Sequence, residues 1–353
     1  MSDPNLSGPS LSSNEGIKER SRHLRGEIAA ELENDAPRFT EESIQVLKFH
    51  GTYQQDDRDK RKEARKAGLD RHWQMMIRTR TPGGRVTPEA YLAHDEIAGR
   101  WGDGTLRITT RQDFQLHGVL KRDLRASIRT INEALMTTLG GCGDQVRNVM
   151  CCPAPLGDRL REEVEQALGG VVSALSARTR AYHEIWIDGE RVEGLPEGEV
   201  EPLYGERYLP RKFKVGIAID GDNCIDVYAN DLALVAMRNP EGGLAGFTAL
   251  VGGSLGRTHN KPDTYPAVAR PLGFVTPDQV VELAQTVVGV QRDFGDRQNR
   301  RHARLKYLLA DRGLDWFRER VQERLSFRLR APRPLVWAPT DDHLGWHRQA
   351  DGR

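Results

Sequence analysis

Residues 72–139 contain, in order, HWQMMIRTR (72–80), TPGG (81–84), TPEAYLAHDEIAGR (87–100), TLRITT (105–110), FQLHGVL (114–120) and DLRASIRTINEALMTTL (123–139). The first run is rich in residues that favour a pleated, half-buried surface, so it predicts a strand, and TPGG predicts the turn that ends it. Thr87 before Pro88 is an N-cap followed by proline at the first helical position, which opens a helix to about residue 100. Two strand-like runs follow. Leu124, Ile128, Ile131, Leu135 and Leu139 then recur at helical spacing and predict a long helix over 123–139. Strand, helix, two strands and helix make a small α+β unit.

A Pro-containing link, Cys152-Pro153-Ala154-Pro155, separates this unit from a second one. There the pattern predicts a helix over 159–177 and strands at HEIWIDG (183–189), FKVGIAID (213–220), CIDVYAN (224–230) and GFTALVGG (246–253). Helical spacing returns at 277–293, 300–312 and 316–325. Antiparallel sheet first and helices after is an α+β order. Upstream, residues 1–45 read as a polar arm with one short amphipathic helix at 17–33, packed on the rest. At the other end, PLVWAPTDDHLGWHRQADGR (334–353) reads as a Pro-rich link and the start of a strand at Leu344. A fragment or split gene product and an ordinary frayed tail both account for that ending.

The 353 residues suffice for two or three structural units. Lys plus Arg, 52, nearly cancels Asp plus Glu, 51, so no global charge argues for nucleic acid, and any anion site must come from local clustering. The first residues lack the apolar core of a signal peptide, and no apolar run reaches membrane-spanning length, so the expectation is a cytoplasmic protein without a membrane partner. Cys142, Cys151, Cys152 and Cys224 are too few and too unevenly spaced for a disulfide framework. No CxxC occurs among them. They are expected to be buried, inert thiols, and no metal ligand is assigned.

Basic and amide residues gather in five places at strand ends or in loops: 48–58, Arg78 with Arg80, 109–117, Arg147-Asn148 and 210–214. Residues two apart on a strand share a face, so Arg78 with Arg80, and Lys212 with Lys214, are each expected to aim two cations at one side. Two like charges about 4 Å apart repel by roughly 4 kcal/mol at an effective dielectric near 20, and a multiply charged anion between them reverses that cost. His50 and His117, each followed by glycine, read as hydrogen-bonded histidines at strand ends and not as metal ligands. LVGGSLG (250–256) lacks the helix start that a dinucleotide loop needs, so its glycines are expected to let the backbone approach a bulky ligand.

LKFHGTYQQDDRD (47–59), RTRTPGG (78–84), LRITTRQDFQLHG (106–118), GCGDQVRNVMCCPAP (141–155), YLPRKFKVGIAI (208–219) and LVGGSLG together resemble the sirohaem-containing nitrite and sulfite reductase family, in particular its assimilatory sulfite reductases. The resemblance runs from about residue 16 to 345. It implies an α+β fold: a ferredoxin-like half-domain at 65–140 and a larger, sirohaem-binding half-domain of antiparallel sheet plus helices at 155–330. These are the first half of a pseudo-twofold repeat. A 1–64 arm with a cofactor-contact loop precedes them, and 331–353 is the linker and start of a second repeat.

By the same resemblance, Arg78, Arg147, Lys212 and Lys214 bind the substrate anion, and Lys48, Gln55, Arg58, Thr109, Arg111, Gln115 and His117 meet the sirohaem carboxylates. The implied reaction is the six-electron reduction of sulfite to sulfide, with electrons from ferredoxin or a flavoprotein. A 4Fe–4S cluster belongs to the complete enzyme, and none of the four cysteines matches its ligand positions. Arg78 and Arg147 would clamp the oxyanion, and the ammonium groups of Lys212 and Lys214 are the better proton relays. Nitrite-specialised relatives tend to carry Asn where this chain has Lys214, which favours sulfite. Nitrite reduction, and a non-catalytic fragment that grips sirohaem or docks a partner, are the competing readings.

Overall fold

The computed structural model describes residues 11–154, 157–187, 201–337, 345, 346 and 348. The arm opens with α1 (Ser13–Arg20) and continues, after a reversal, with α2 (Ile28–Leu32) and α3 (Glu41–Leu47). The single helix expected at 17–33 is therefore two. Arg22, His23 and Leu24 adopt left-handed φ values of 52°, 54° and 73°, which no helix tolerates. Breaking there lets Leu24 and Ile28, both fully buried, enter the core, and Lys18 Nζ donates to the carbonyl of Leu209 at 2.8 Å. The arm packs on the body of the protein, as the sequence predicts.

The first sheet contains β1 (Thr52–Asp56), β2 (Trp73–Arg78), β3 (Leu106–Ile108) and β4 (Phe114–Val119) in the order β1-β2-β4-β3, all antiparallel. A short helix, α4 (Arg61–Lys66), lies between β1 and β2. Behind the sheet pack α5 (Pro88–Arg100), capped by Thr87 as expected, and α6 (Leu124–Glu133). Met75, Ile77, Leu116 and Val119 face these helices and meet Ile97, Ile128 and Ile131 in one core. The helix expected to run to 139 stops at Glu133. Leu135 has φ 58° and is 96% exposed, so the apolar spacing there is coincidental, and Thr137 instead pairs with Arg80.

The second sheet is mixed. β5 (Met150–Cys151), β6 (Val215–Ile219) and β7 (Leu232–Arg238) run parallel, and β8 (Leu244–Val251) and β9 (Arg270–Val275) continue antiparallel, in sequential order. Burial of β6 and most of β7 on both faces explains their unbroken apolar runs. A helical layer of α7 (Arg159–Ala174), α9 (Val280–Phe294) and α11 (Leu314–Gln322) covers it, with α10 (Leu305–Arg312) at its margin, while α8 (Ala181–Trp186) packs on α6.

Three expectations fail here. HEIWIDG is helical as far as Trp186, because Tyr182, Ile185 and Trp186 bury at helical spacing; Asp188 and Gly189 lie outside the described residues. CIDVYAN forms a turn and one 3-10 turn, since Asp226 sits at φ 52°. The helix expected from residue 300 begins at Leu305, because Arg304 is extended (φ −80°, ψ 153°) and its side chain is drawn to a buried carboxylate. The strand expected at Leu344 lies outside the described residues.

Candidate active site

Antiparallel partners share a face, so the register of the first sheet sorts its residues. Arg78 stands opposite Gln115, and Gln55, Gln115 and His117 share its polar face, on the side away from Met75, Ile77 and Leu116. Gln115 Oε1 accepts from Arg78 Nε at 3.2 Å and Nη2 at 2.8 Å, and its Nε2 lies 2.6 Å from His117 Nε2. Arg78 Nη1 also donates to Cys142 Sγ at 3.1 Å. Arg80 does not join it. Its guanidinium is buried, with Nη1 on Ser176 Oγ at 3.1 Å, so the pair Arg78 and Arg80 do not aim at one anion.

The second contribution comes from the edge of the other sheet. Its β5–β6 pairing extends upstream to a parallel bridge between Val146 and Phe213, both buried. Alternation then puts Arg147, Lys212 and Lys214 on the opposite face from that pair. Arg147 is 8% exposed and donates from Nε to the Gly143 carbonyl at 2.9 Å and from Nη1 to that of Gly141 at 3.4 Å. Burial, then Arg147, Arg304, Arg211 and Lys214, push the Lys212 ammonium down to about 7. Burial, then Arg111 and Arg304, bring Lys214 to about 8, against the pull of Asp231. Both are poised to give or take a proton near neutral pH.

Arg111 joins the two halves. Its Nη1 donates to the carbonyls of Asn148 and Val215, both at 3.2 Å, and its Nη2 to Asn230 Oδ1 at 2.8 Å. Burial lowers it to about 10. Thr109 shapes the loop beneath it, accepting from the backbone N–H groups of Arg111 and Asp113. Lys48, at the end of α3, donates to Gln45 Oε1 at 2.6 Å; burial, then Arg300, lower its ammonium. Arg58 is exposed in the turn after β1, where its charge acts on Asp56, which leaves it the least enclosed of the candidates.

Sequence reasoning missed the charges that hold this group in place. Asp231, fully buried, takes Arg304 Nε at 3.1 Å and Nη2 at 2.7 Å and also accepts from the Lys214 backbone N–H at 2.7 Å. Asp144, 2% exposed, takes Arg300 on both oxygens at 2.6 and 2.9 Å, with Lys18 and Arg211 at 3.7 and 3.6 Å. Burial pushes the Asp144 carboxyl up, but Arg300 and Lys18 outweigh it and hold it below its ordinary range. The basic run RQNRRHAR (297–304) is a signal for the arginines, whereas the lone aspartates carry none. Tyr53, on β1, shares a hydrogen bond with Cys142; burial, then Cys142, raise its hydroxyl.

His50 is the structural histidine expected: Trp186 Nε1 donates to its Nδ1 at 3.1 Å, and its Nε2 bonds the Leu24 carbonyl at 2.8 Å. Two glycines of 250–256, Gly252 and Gly253, are required by the protein's own packing. A Cβ at Gly252 would meet Leu309, and one at Gly253 the carbonyls of Tyr228 and Asn230. Cys142 and Cys151 are buried, but Cys152 is only partly so and Cys224 is exposed in the β6–β7 connection, correcting the expectation of four buried thiols.

What results is a half-buried face on which Arg78, Arg111, Arg147, Arg211, Lys212, Lys214, Arg300 and Arg304 outnumber Asp113, Asp144 and Asp231. Such an excess of partly desolvated cations suits a multiply charged anion. The donor set also fits a polycarboxylate macrocycle, because forked guanidinium and amide donors line one continuous face. It does not fit an iron–sulfur cluster: Cys142 sits by Arg78, whereas Cys152 and Cys224 sit by Asp222, so the four sulfurs do not converge.

Two family models match the chain: "Nitrite/Sulfite reductase ferredoxin-like half domain" over residues 71–134 and "Nitrite and sulphite reductase 4Fe-4S domain" over residues 172–329. The chain is 47% identical over 344 residues to a sulfite reductase [NADPH] hemoprotein beta-component of Paenibacillus sp., covering 96% of this chain and 59% of the relative. It is 44% identical to a sulfite reductase [ferredoxin] of Synechococcus elongatus, covering 99% and 58%. Among solved structures, the Mycobacterium tuberculosis NirA protein superposes with a TM-score of 0.74 at 25% identity, over 99% of this chain and 59% of that one. The chain thus spans about three fifths of the length of the curated relatives it matches. The α+β architecture, the two matched domains in this order and the relatives' identity over nearly all of its residues place one conclusion beyond the geometry: the chain belongs to the nitrite and sulfite reductase family.

Proposed function

We propose that this chain supplies the substrate-binding and sirohaem-binding part of an assimilatory sulfite reductase, acting in the cytoplasm with electrons from ferredoxin or a flavoprotein. The observation that carries the reading is the cationic face formed by Arg78, Arg111, Arg147, Lys212 and Lys214 where the two sheets meet. Sirohaem, when bound, supplies the redox-active iron. Arg111, Gln115 and His117, with Lys48, Gln55, Arg58 and Thr109 around them, would hold its carboxylates.

The chain's own share of the chemistry follows from the charges. Arg147 and Arg78 act as forked guanidinium donors toward the sulfur oxyanion. Lys212 and Lys214 titrate near 7 and 8, so each Nζ can release a proton as an oxygen leaves as water and recover it from solvent. The arrival of the anion favours the charged form of both lysines, so substrate binding loads the proton donors. No electron step is assigned to a cluster, because the cysteines of this chain do not converge. Turnover therefore needs thiolates from outside these residues, and the chain on its own is proposed to bind without reducing.

The test is a chimera in which this chain replaces the matching segment of the Paenibacillus relative. Sulfide formed from sulfite with a chemical electron donor, at a higher specificity constant than ammonia from nitrite, is the expected result. A cofactor-loaded chimera that prefers nitrite, or turns over neither, would overturn the proposal.

A further inference from the structure

Outside the cationic face, a second reactive group lies where the link after β5 meets the β6–β7 connection. The ligand atoms of Cys152, Asp222 and Cys224 all fall within 4.8 Å of one another. The two thiols share a hydrogen bond, and Asp222 and Arg161 reach the same group. Arg161 Nη2 lies 3.4 Å from Asp222 Oδ2, and Asp222 Oδ1 accepts the Cys224 backbone N–H at 3.0 Å. Cys224 is exposed and Cys152 partly so, and both are therefore open to a small reagent.

The geometry points to Cys152 and Cys224 as a thiol–disulfide pair, in which Cys152 is the attacking sulfur, Cys224 the resolving one, and a low-molecular-weight disulfide the oxidant. The Cys152 thiolate attacks one sulfur of that disulfide; a protein–small-molecule S–S bond forms, the reagent's own S–S bond breaks, and one small thiolate leaves and takes up a proton. Cys224, its thiol proton passing to Asp222 or water, then attacks Cys152 Sγ. The Cys152–Cys224 bond forms and the second small thiol departs. Two protein thiols are oxidised and one disulfide is reduced to two thiols, so electrons and protons balance.

Three observations fix the roles. The hydrogen bond from Cys224, with help from Arg161 and against burial, lowers the Cys152 thiol to about 6, while the same bond raises that of Cys224. Cys152 is then largely thiolate at neutral pH and Cys224 is not. Its neighbour Cys151 is buried and pushed up to about 12, chiefly by desolvation, which removes the vicinal competitor. Arg161 also argues against a divalent ion on the same three atoms, since a fixed guanidinium would sit beside it. Closing the sulfurs to bonding distance requires the exposed Cys224 to shift within a turn that Asp222 Oδ1 and Asn223 Oδ1 hold through the Cys224 and Val227 N–H groups at 3.0 and 2.8 Å.

Oxidation would staple the link to the second sheet close to the cationic face. Gln112, in the loop that carries Arg111, accepts from the Cys151 N–H at 3.2 Å and donates to the Cys151 carbonyl at 2.6 Å.

The experiment treats the 353-residue chain with oxidised glutathione at neutral pH, then blocks free thiols and maps peptides by mass spectrometry. The expected result is loss of two of the four thiols, an intact mass lower by two hydrogens and a peptide pair joined through Cys152 and Cys224. Cys224→Ser should stop at a stable mixed disulfide on Cys152, and Cys151→Ser should leave the cross-link unchanged. A cross-link through Cys151 or Cys142, independent glutathionylation of Cys152 and Cys224 in the parent, or one tightly held zinc that protects both thiols would each overturn the proposal.

Discussion

Replacing Lys212 by Met should make the ligand-free protein more stable, with a pH dependence set by the charges around it. Burial, then Arg147, Arg304, Arg211 and Lys214, bring this ammonium from its ordinary 10.5 to about 7. At about 1.4 kcal/mol per unit, the full displacement opposes folding by roughly 4 to 5 kcal/mol while the lysine is charged. Solvent reaches part of the side chain, so about 2 kcal/mol is what should survive screening. Below pH 7 folded and unfolded chains both hold the proton, and the whole penalty is present. Between pH 7 and 10.5 the folded chain has released it and the unfolded chain has not, so stability climbs with pH and the penalty fades. Lys212→Met keeps the alkyl length and removes the charge. Urea unfolding in a buffer free of multivalent anions should therefore show a gain of about 2 kcal/mol at pH 6 that shrinks steadily toward pH 10. Added sulfate should raise the midpoint of the parent more than that of the variant, because the anion relieves the same repulsion. Destabilisation at pH 6, or an equal gain at pH 6 and pH 9, would refute the account of a crowded cationic face.

Four further outcomes follow from the same geometry. In the chimera, Arg147→Lys retains the charge but loses the fork that now spans Gly141 and Gly143, and sulfite turnover at full cofactor loading should drop roughly a hundredfold, about 3 kcal/mol; near-parental turnover would remove Arg147 from the substrate. Lys214→Asn should shift the ratio of specificity constants from sulfite toward nitrite, and an unchanged ratio would count against Lys214 facing the anion. Asp231→Asn leaves Arg304 without its buried partner and should cost about 3 to 5 kcal/mol in chemical denaturation, whereas a loss under about 1 kcal/mol would mean that the pair is not structural. His50, fully buried with its titration lowered from 6.5 to about 4 by desolvation, should contribute about 3 kcal/mol that is present above pH 6.5 and lost as pH falls toward 4; a His50→Phe variant whose acid limb is as steep as the parent's would exclude it as the cause.

The sequence announces a residue when local pattern and final environment agree. Thr87-Pro88 opens a helix where expected, because a cap acts within one turn. The alternation around Arg78, Gln115 and His117 survives folding as a shared sheet face. Arg147, Lys212 and Lys214 meet only because a parallel bridge joins Val146 to Phe213, a pairing that nothing in either segment declares alone. Their recognition rested on resemblance. Asp144 and Asp231 were invisible for the opposite reason: each is a single unremarked carboxylate whose importance comes from partners more than seventy residues away. Where apolar spacing misled, at Leu135, the backbone had already turned left-handed and the side chain faced solvent.

Arg111 has a consequence for how the holoprotein is made. Its guanidinium is fastened to the carbonyls of Asn148 and Val215 and to the Asn230 amide, all groups of this chain, bolting the loop of one sheet to the frame of the other. The ordering entropy of that loop is then spent during folding and not at the moment of cofactor capture. Such a polypeptide should emerge from synthesis as a finished receptacle. Insertion of the macrocycle would be a docking event with little remodelling, and the empty chain should resist proteolysis at 109–112 nearly as well as the loaded one.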